Sequence, residues 1–169
     1  MDLTMLKEKE LRREYKDFIQ EPKKVAYYTD KFEKMKHKNT KISFNIWGLL
    51  FSVYWCFYRK MLGWGAIALI LNVGAMYLNF AYGLAWPTTV ITTISALFFG
   101  FFGNYLYMRY VENSIAHCLN LDGEKKKKYY KENGGDGIKI LLSMLFVTLV
   151  MAFAMAASFG VPVPDAAVQ

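Results

Sequence analysis

Two stretches of the chain carry no charge at all, residues 61–108 and residues 140–164, while charged residues crowd the segments before and between them. Long uncharged apolar runs mark helices that cross a bilayer, each of which needs roughly 20 residues. Residues 61–80, 88–108 and 138–159 meet that length. A fourth apolar segment, residues 44–58, reaches only about 17 residues even when counted from Ile42, the lower limit for a span. It holds seven aromatics, Phe44, Trp47, Phe51, Tyr54, Trp55, Phe57 and Tyr58. On a helix turning 100° per residue, all but Phe57 fall within an arc of about 100°. Gly48, Ser52, Asn45 and Cys56 form a small, weakly polar strip beside it. Trp and Tyr favour the membrane interface, where the ring is buried and its polar atom stays wet. Closed by Arg59 and Lys60, residues 42–60 read as a re-entrant or interfacial helix rather than a full span.

Residues 1–41 follow a different pattern. Leu3, Leu6, Leu11, Tyr15 and Phe18 recur at steps of three to five, which predicts a charged amphipathic helix over residues 2–20. Pro22 suits the first turn of a second helix, in which Val25, Tyr28, Phe32 and Met35 repeat at 3-4-3 spacing with lysines between them. Residues 37–41 form a short polar linker. The pair is a helical arm, either a free hairpin or one docked or lying along the headgroups with its lysines toward anionic lipid. Charged throughout, residues 1–41 contain no signal-peptide core.

Composition sharpens this picture. At 54% hydrophobic and 17% aromatic, the 169-residue chain is too apolar for an ordinary water-soluble domain, yet it carries a net charge of +7. Residues 1–41 alone hold 12 of the 21 Lys and Arg and 8 of the 14 Asp and Glu. The link at residues 81–87 is uncharged, the link at 109–137 carries Arg109, Lys125–Lys128 and Lys131, and the tail at 160–169 has only Asp165. If residues 44–58 do not cross, the arm, Arg59, Lys60 and the lysine loop all face the cytoplasm, as the positive-inside rule requires. If they cross, Arg59, Lys60 and the loop end up outside. The expected architecture is therefore an all-α polytopic membrane protein: a cytoplasmic N-terminal helical arm (1–41), a re-entrant or interfacial helix (42–60) and a three-span bundle (61–159) with a basic cytoplasmic loop (109–137). An extracytoplasmic tail (160–169) completes it.

Candidate chemistry is sparse. Ala68, Asn72, Ala75 and Asn79 line one strip of the first span, and Thr89, Thr93, Ala96, Gly100 and Asn104, with Gly103 beside them, line another on the second. A seven-residue link makes these two helices an antiparallel hairpin. Small residues let backbones approach, and amides or hydroxyls hydrogen-bond across such a seam for roughly 0.6–2 kcal/mol each. Helix packing is the plain reading of these strips, including Thr148, Ala152, Ala156 and Gly160 on the third span; a solute path lined by Asn72, Asn79 and Asn104 is the sharper one. No charged group lies deep in any span, which speaks against an ion-coupled transporter; Arg109 and Lys139 sit at span ends, where they can snorkel. Phosphate-binding glycine loops, HExxH and GxSxG are absent. His117 and Cys118 lack partners at metal or triad spacing and read as a solvated helix end, His37 as a surface residue, and both cysteines as reduced thiols. No enzyme activity, metal or cofactor is expected. Lys125, Lys126, Lys127 and Lys128 would meet anionic headgroups. Nucleic acid is not an expected partner, because orientation already accounts for the positive charge. Gly134, Gly135 and Gly137 read as a flexible lead into the third span.

Residues 28–59 resemble a bacterial inner-membrane family known only as domain of unknown function 2628. The likeness rests on an aromatic-basic helix (YYTDKFEKMK), then Phe44-Asn45-x-Trp47, an apolar aromatic stretch, and Trp55-x-x-Tyr58-Arg59-Lys60-Met61. Gly100-x-x-Gly103-Asn104-Tyr105-x-Tyr107 is similar to that family's later span. The likeness covers about residues 25–120; the third span and the proline-containing tail have no matching counterpart. Some such proteins carry zinc ribbons, for which this chain lacks the cysteines. The resemblance implies a topology and a bacterial inner (cytoplasmic) membrane location, and no biochemical activity; the charge placement sets the N-terminus cytoplasmic and the C-terminus periplasmic or extracellular. The expected role is a scaffold or regulatory membrane component acting through protein partners, a second copy of itself, or lipid at the cytoplasmic face. A host-protective factor (phage exclusion or toxin immunity) and an oligomeric channel or facilitator are the alternatives.

Overall fold

The structure is a computed structural model that describes residues 7–159. Leu3, Leu6 and the tail at 160–169 lie outside the described residues, as do the side chains of Ala152 and Ala156. The described residues form seven helices and no strand: α1 (Glu8–Ile19), α2 (Pro22–His37), α3 (Ile46–Tyr58), α4 (Leu62–Tyr82), α5 (Ala85–Cys118), α6 (Gly123–Asn133) and α7 (Ile138–Phe159). The arm's spacing translates directly. Glu8 and Glu10 occupy the first turn of α1 and Lys16 its last, each favourable to the helix dipole. Pro22 opens α2, where its missing N–H costs nothing.

α4 and α5 form the expected antiparallel hairpin, turned at Gly83, whose φ of 68° suits glycine. Both are long and apolar enough to cross a membrane. Their seam is polar: the Thr88 hydroxyl donates to the Ala75 carbonyl at 3.2 Å, and the Thr92 hydroxyl to Asn72 Oδ1 at 3.1 Å. Asn72 Nδ2 closes back onto the Ala68 carbonyl at 2.8 Å.

α3 departs from the unbroken helix its aromatic arc predicts. Ser52 has φ 38° and ψ −104°, outside helical space and costly for a non-glycine residue. The break folds the segment back along α5. Before it, the Ser43 and Asn45 amides donate to the Phe101 and Gly100 carbonyls at 2.9 and 2.8 Å. At Gly48 the backbones nearly touch, and a Cβ there would sit 2.4 Å from the Phe99 carbonyl oxygen. After the break, Trp55 lies beside Gly103 and edge-on to Tyr107. Both ends of α3 therefore lie against the same part of α5.

α5 also overruns the span expected to end at Met108. It continues to Cys118, carrying Val111, Ser114, Ile115 and Cys118 as a buried stripe, and α6 then occupies much of the expected 109–137 loop. Arg109 and Glu112 mark where the apolar run ends, but backbone hydrogen bonding continues past them, so the helix does too. The glycine lead into α7 is packed rather than flexible. Gly134, Gly135 and Gly137 donate to the Tyr130, Phe18 and Tyr58 carbonyls, each at 2.8 Å. A Cβ on Gly137 would fall 2.5 Å from the Phe57 oxygen. α7 starts at the end of α3 and runs back beside it, Tyr54 donating to the Thr148 hydroxyl at 3.0 Å.

Candidate functional site

The buried core gathers where the arm meets α3, α5 and α6. Tyr15 and Phe18 from α1, Tyr28 and Phe32 from α2, and Tyr107, Val111 and Ile115 from α5 are all buried. Arg59 sits in this aromatic setting at 5% exposure. Its guanidinium carbon lies 4.6, 5.1 and 5.2 Å from the ring centroids of Tyr28, Tyr58 and Tyr107. An electron-rich cage of this kind stabilises a cation that burial would otherwise penalise. Asp136, from the α6–α7 joint, is 3.7 Å from Arg59 Nη1, beyond hydrogen-bond length. Lys24 donates to both Asp136 oxygens at 2.8 and 2.7 Å, donates to Tyr58 Oη at 2.5 Å and pairs with Glu21. Burial disfavours the Asp136 carboxylate, but the Lys24 hydrogen bonds and charge outweigh it and hold its pKa below the ordinary 3.8. Burial likewise opposes the Lys24 ammonium, and its bonds to Asp136, Glu21 and Tyr58 raise its pKa regardless. Lys60 extends the junction by donating to the Glu132 and Gly134 carbonyls at 2.9 and 2.6 Å.

A second polar cluster ties the arm to α5 and α6. Glu112, 6% exposed, accepts from the Tyr15 hydroxyl at 2.9 Å and pairs with Lys36 at 2.5 Å. Burial and the Glu112 charge push the Tyr15 phenol far above its ordinary pKa, so it stays protonated as a donor. Glu14 bridges to α6, accepting from Lys126 at 2.5 Å and from Tyr130 at 2.6 Å.

The residues singled out from sequence fall into separate places. Asn45 is fully buried and caps α3, its Oδ1 accepting from the Gly48 amide at 3.1 Å. Asn104, also fully buried, donates to the Ser43 carbonyl, the Ser43 hydroxyl and the Phe44 carbonyl. Gly100, Gly103 and Asn104 thus serve α3 rather than α4. Ala68, Asn72 and Ala75 face α5, where they meet Thr88, Thr92 and Ser95; Thr89 and Thr93 are exposed and Ala96 partly so. Asn79 is exposed, so Asn72, Asn79 and Asn104 do not converge on one path. Phe44 and Trp47 are exposed, Trp55 buried and Tyr58 half-buried. Lys125, Lys127 and Lys128 are exposed, whereas Lys126 is drawn down onto Glu14. Sequence reasoning placed Tyr28 on the α2 stripe and Tyr107 in a motif of the second span without linking either to Arg59, and did not single out Lys24, Glu112 or Asp136. Glu112 carried a signal, being the lone acid on the 111–118 stripe.

Between α3 and α7 a groove of about 400 Å³ opens beside the cation junction, walled by Trp47, Phe51, Tyr54 and Leu141 with Lys24, Tyr58 and Arg59 at the end where α3 finishes. Cys56 and Cys118 are free and buried. Among the described residues, no three His, Cys, Asp or Glu side chains gather where a metal ion would sit. What this region offers is fixed positive charge beside aromatic surface.

Fold and site together define an all-helical protein with two helices of membrane-spanning length, capped by a charged, aromatic-cored head. A family model described as a protein of unknown function (DUF2628) matches residues 9–112, more than half of the chain, and the protein belongs to that family. The match takes in the arm, α3, α4 and most of α5. No curated protein and no solved structure matches the chain.

Proposed function

We propose that this chain is a non-enzymatic inner-membrane protein that acts through protein partners or lipid at its cytoplasmic face. In this reading α4, α5 and α7 span the bilayer, α3 re-enters without crossing, and α1, α2, α6 and the end of α5 form one cytoplasmic head. The observation that carries the membrane assignment is uncovered apolar surface. Only 17% of the apolar window of α4, and 17% of that of α5, is buried by the rest of the chain. A core helix of a soluble protein would be mostly covered, and soluble surfaces rarely leave so large an apolar face bare. The re-entrant reading is supported by the break at Ser52 and by both ends of α3 lying on the same part of α5.

The head supplies the interaction surface. Its interior is closed by Tyr15, Phe18, Phe32 and Ile115, while Lys125, Lys127 and Lys128 stay exposed for a partner or for anionic headgroups. The carboxylates gathered there are already engaged, Glu112 by Tyr15 and Lys36 and Glu14 by Lys126 and Tyr130, which favours recognition over catalysis. A photo-crosslinker placed at exposed Tyr27 or at Lys128 in native membranes tests this. A defined protein or anionic-lipid adduct at the head is expected; the absence of both contradicts the reading.

A further inference from the structure

We propose that the groove between α3 and α7 binds one anionic membrane lipid, with its phosphate at Arg59 and its acyl chain along Trp47, Phe51 and Leu141. The polar half of the site is unusual. Arg59 is 5% exposed, yet its Nε and Nη1 make no hydrogen bond. Asp136 at 3.7 Å neutralises part of the charge without satisfying those donors. Buried donors left unused are costly. Both nitrogens are closed off from solvent, so reaching a phosphate requires the guanidinium to turn toward the groove it lines, where its fork matches phosphate oxygens. Two cations, Lys24 and Arg59, line the groove and no carboxylate does. That lining complements a lipid with a net negative charge and gives a zwitterionic one no comparable gain.

The apolar half identifies the ligand as a lipid rather than a soluble phosphate. Trp47 and Phe51 stack at 5.8 Å and remain 58% and 50% exposed, forming a flat wall that a free anion would leave unused. Read along α5 from Phe99, beside Gly48, to Tyr107, which cages Arg59, the depth of this region is about 12 Å at 1.5 Å per residue. That is most of one leaflet of a hydrocarbon core roughly 30 Å thick, which lets a phosphate meet Arg59 while its chain follows the aromatic wall. The inference rests on the membrane assignment above but needs no protein partner.

The full-length protein in detergent micelles, titrated with phosphatidylglycerol or phosphatidylcholine and read by native mass spectrometry, tests it. One phosphatidylglycerol should bind roughly tenfold more tightly than phosphatidylcholine. Arg59→Gln should abolish that preference. Because this change also disturbs the tyrosine cage, Leu141→Trp provides an independent variant that fills the groove and leaves the junction intact; it should weaken binding of the one lipid by a similar factor. Equal affinity for the two lipids, or unchanged binding in Leu141→Trp, overturns the proposal. Displacement of the lipid by inorganic phosphate alone would reveal a simple anion site and overturns it too. Failure to crosslink a protein at Tyr27 or Lys128 would leave these binding results unaffected, so the two readings fail separately.

Discussion

The head and the outer half of the α4–α5 hairpin are built from similar apolar side chains put to opposite uses. In the head, Phe18, Phe32, Val111 and Ile115 have no exposed surface, whereas on the hairpin Ile70, Tyr82 and Trp86 stand 70%, 68% and 65% exposed. The head excludes water by packing against itself, and so behaves as a small water-soluble core. The hairpin packs along one polar seam and leaves the rest of its apolar circumference uncovered by the chain. The contrast shows that apolar content says nothing about which surface a residue faces; the surrounding charge does. Where lysines and carboxylates interleave with the apolar positions, the chain covers them itself.

Substitutions should separate the two regions by size of effect. Phe32→Ala removes a fully buried ring and is expected to cost about 3–5 kcal/mol of stability. Ile70→Ala, on the uncovered face, should stay within about 0.5 kcal/mol. Denaturant melts of the two variants in the same micelle check this, and equal losses would break the comparison. Glycine substitutions give a smaller contrast of the same kind. Gly48→Ala places a Cβ 2.4 Å from the Phe99 oxygen, a backbone atom that does not yield. It should destabilise by about 1–3 kcal/mol. Gly74→Ala, with nothing within 4 Å, should be neutral or stabilise by up to about 1 kcal/mol through helix propensity.

The smallest expected effect concerns pH. Asp136 is held below its ordinary 3.8 in the folded protein, so its contribution is present above that value and is lost as pH falls through the lower folded value. The melting temperature should therefore drop on acidification below about pH 4, and the drop should be smaller in Asp136→Asn. An identical acid profile in the variant would remove Asp136 from the junction's energetics.

Much of the head was legible in sequence. The 3-4-3 spacing of Val25, Tyr28, Phe32 and Met35, and Pro22 before them, place α2 where it is found. The α4–α5 hairpin followed from its uncharged link. The register of its seam did not, because Thr88/Thr92 and Thr89/Thr93 are equally good hydroxyl pairs until Asn72 selects one. The break at Ser52 was hidden by an aromatic arc that fits an unbroken helix; it depends on how closely Gly48 and Gly103 let α3 approach α5. Arg59 read as a charge at a joint. Its cage is assembled from α2, α3 and α5, contacts that no local pattern encodes. The run of α5 past Arg109 was signalled by Val111, Ser114, Ile115 and Cys118 at helical spacing, a stripe masked by the charges among them.

The central claim is that α3 does not cross, so that the arm and α6 share one side of the membrane. Single cysteines at Asn39, Gly83 and Lys125, introduced into a chain lacking Cys56 and Cys118 and probed with a membrane-impermeant thiol reagent on sealed vesicles, test it most directly. Positions 39 and 125 should label from the same side and position 83 from the other. Labelling of 39 together with 83, and of 125 from the opposite side, would mean that α3 crosses and would contradict the account.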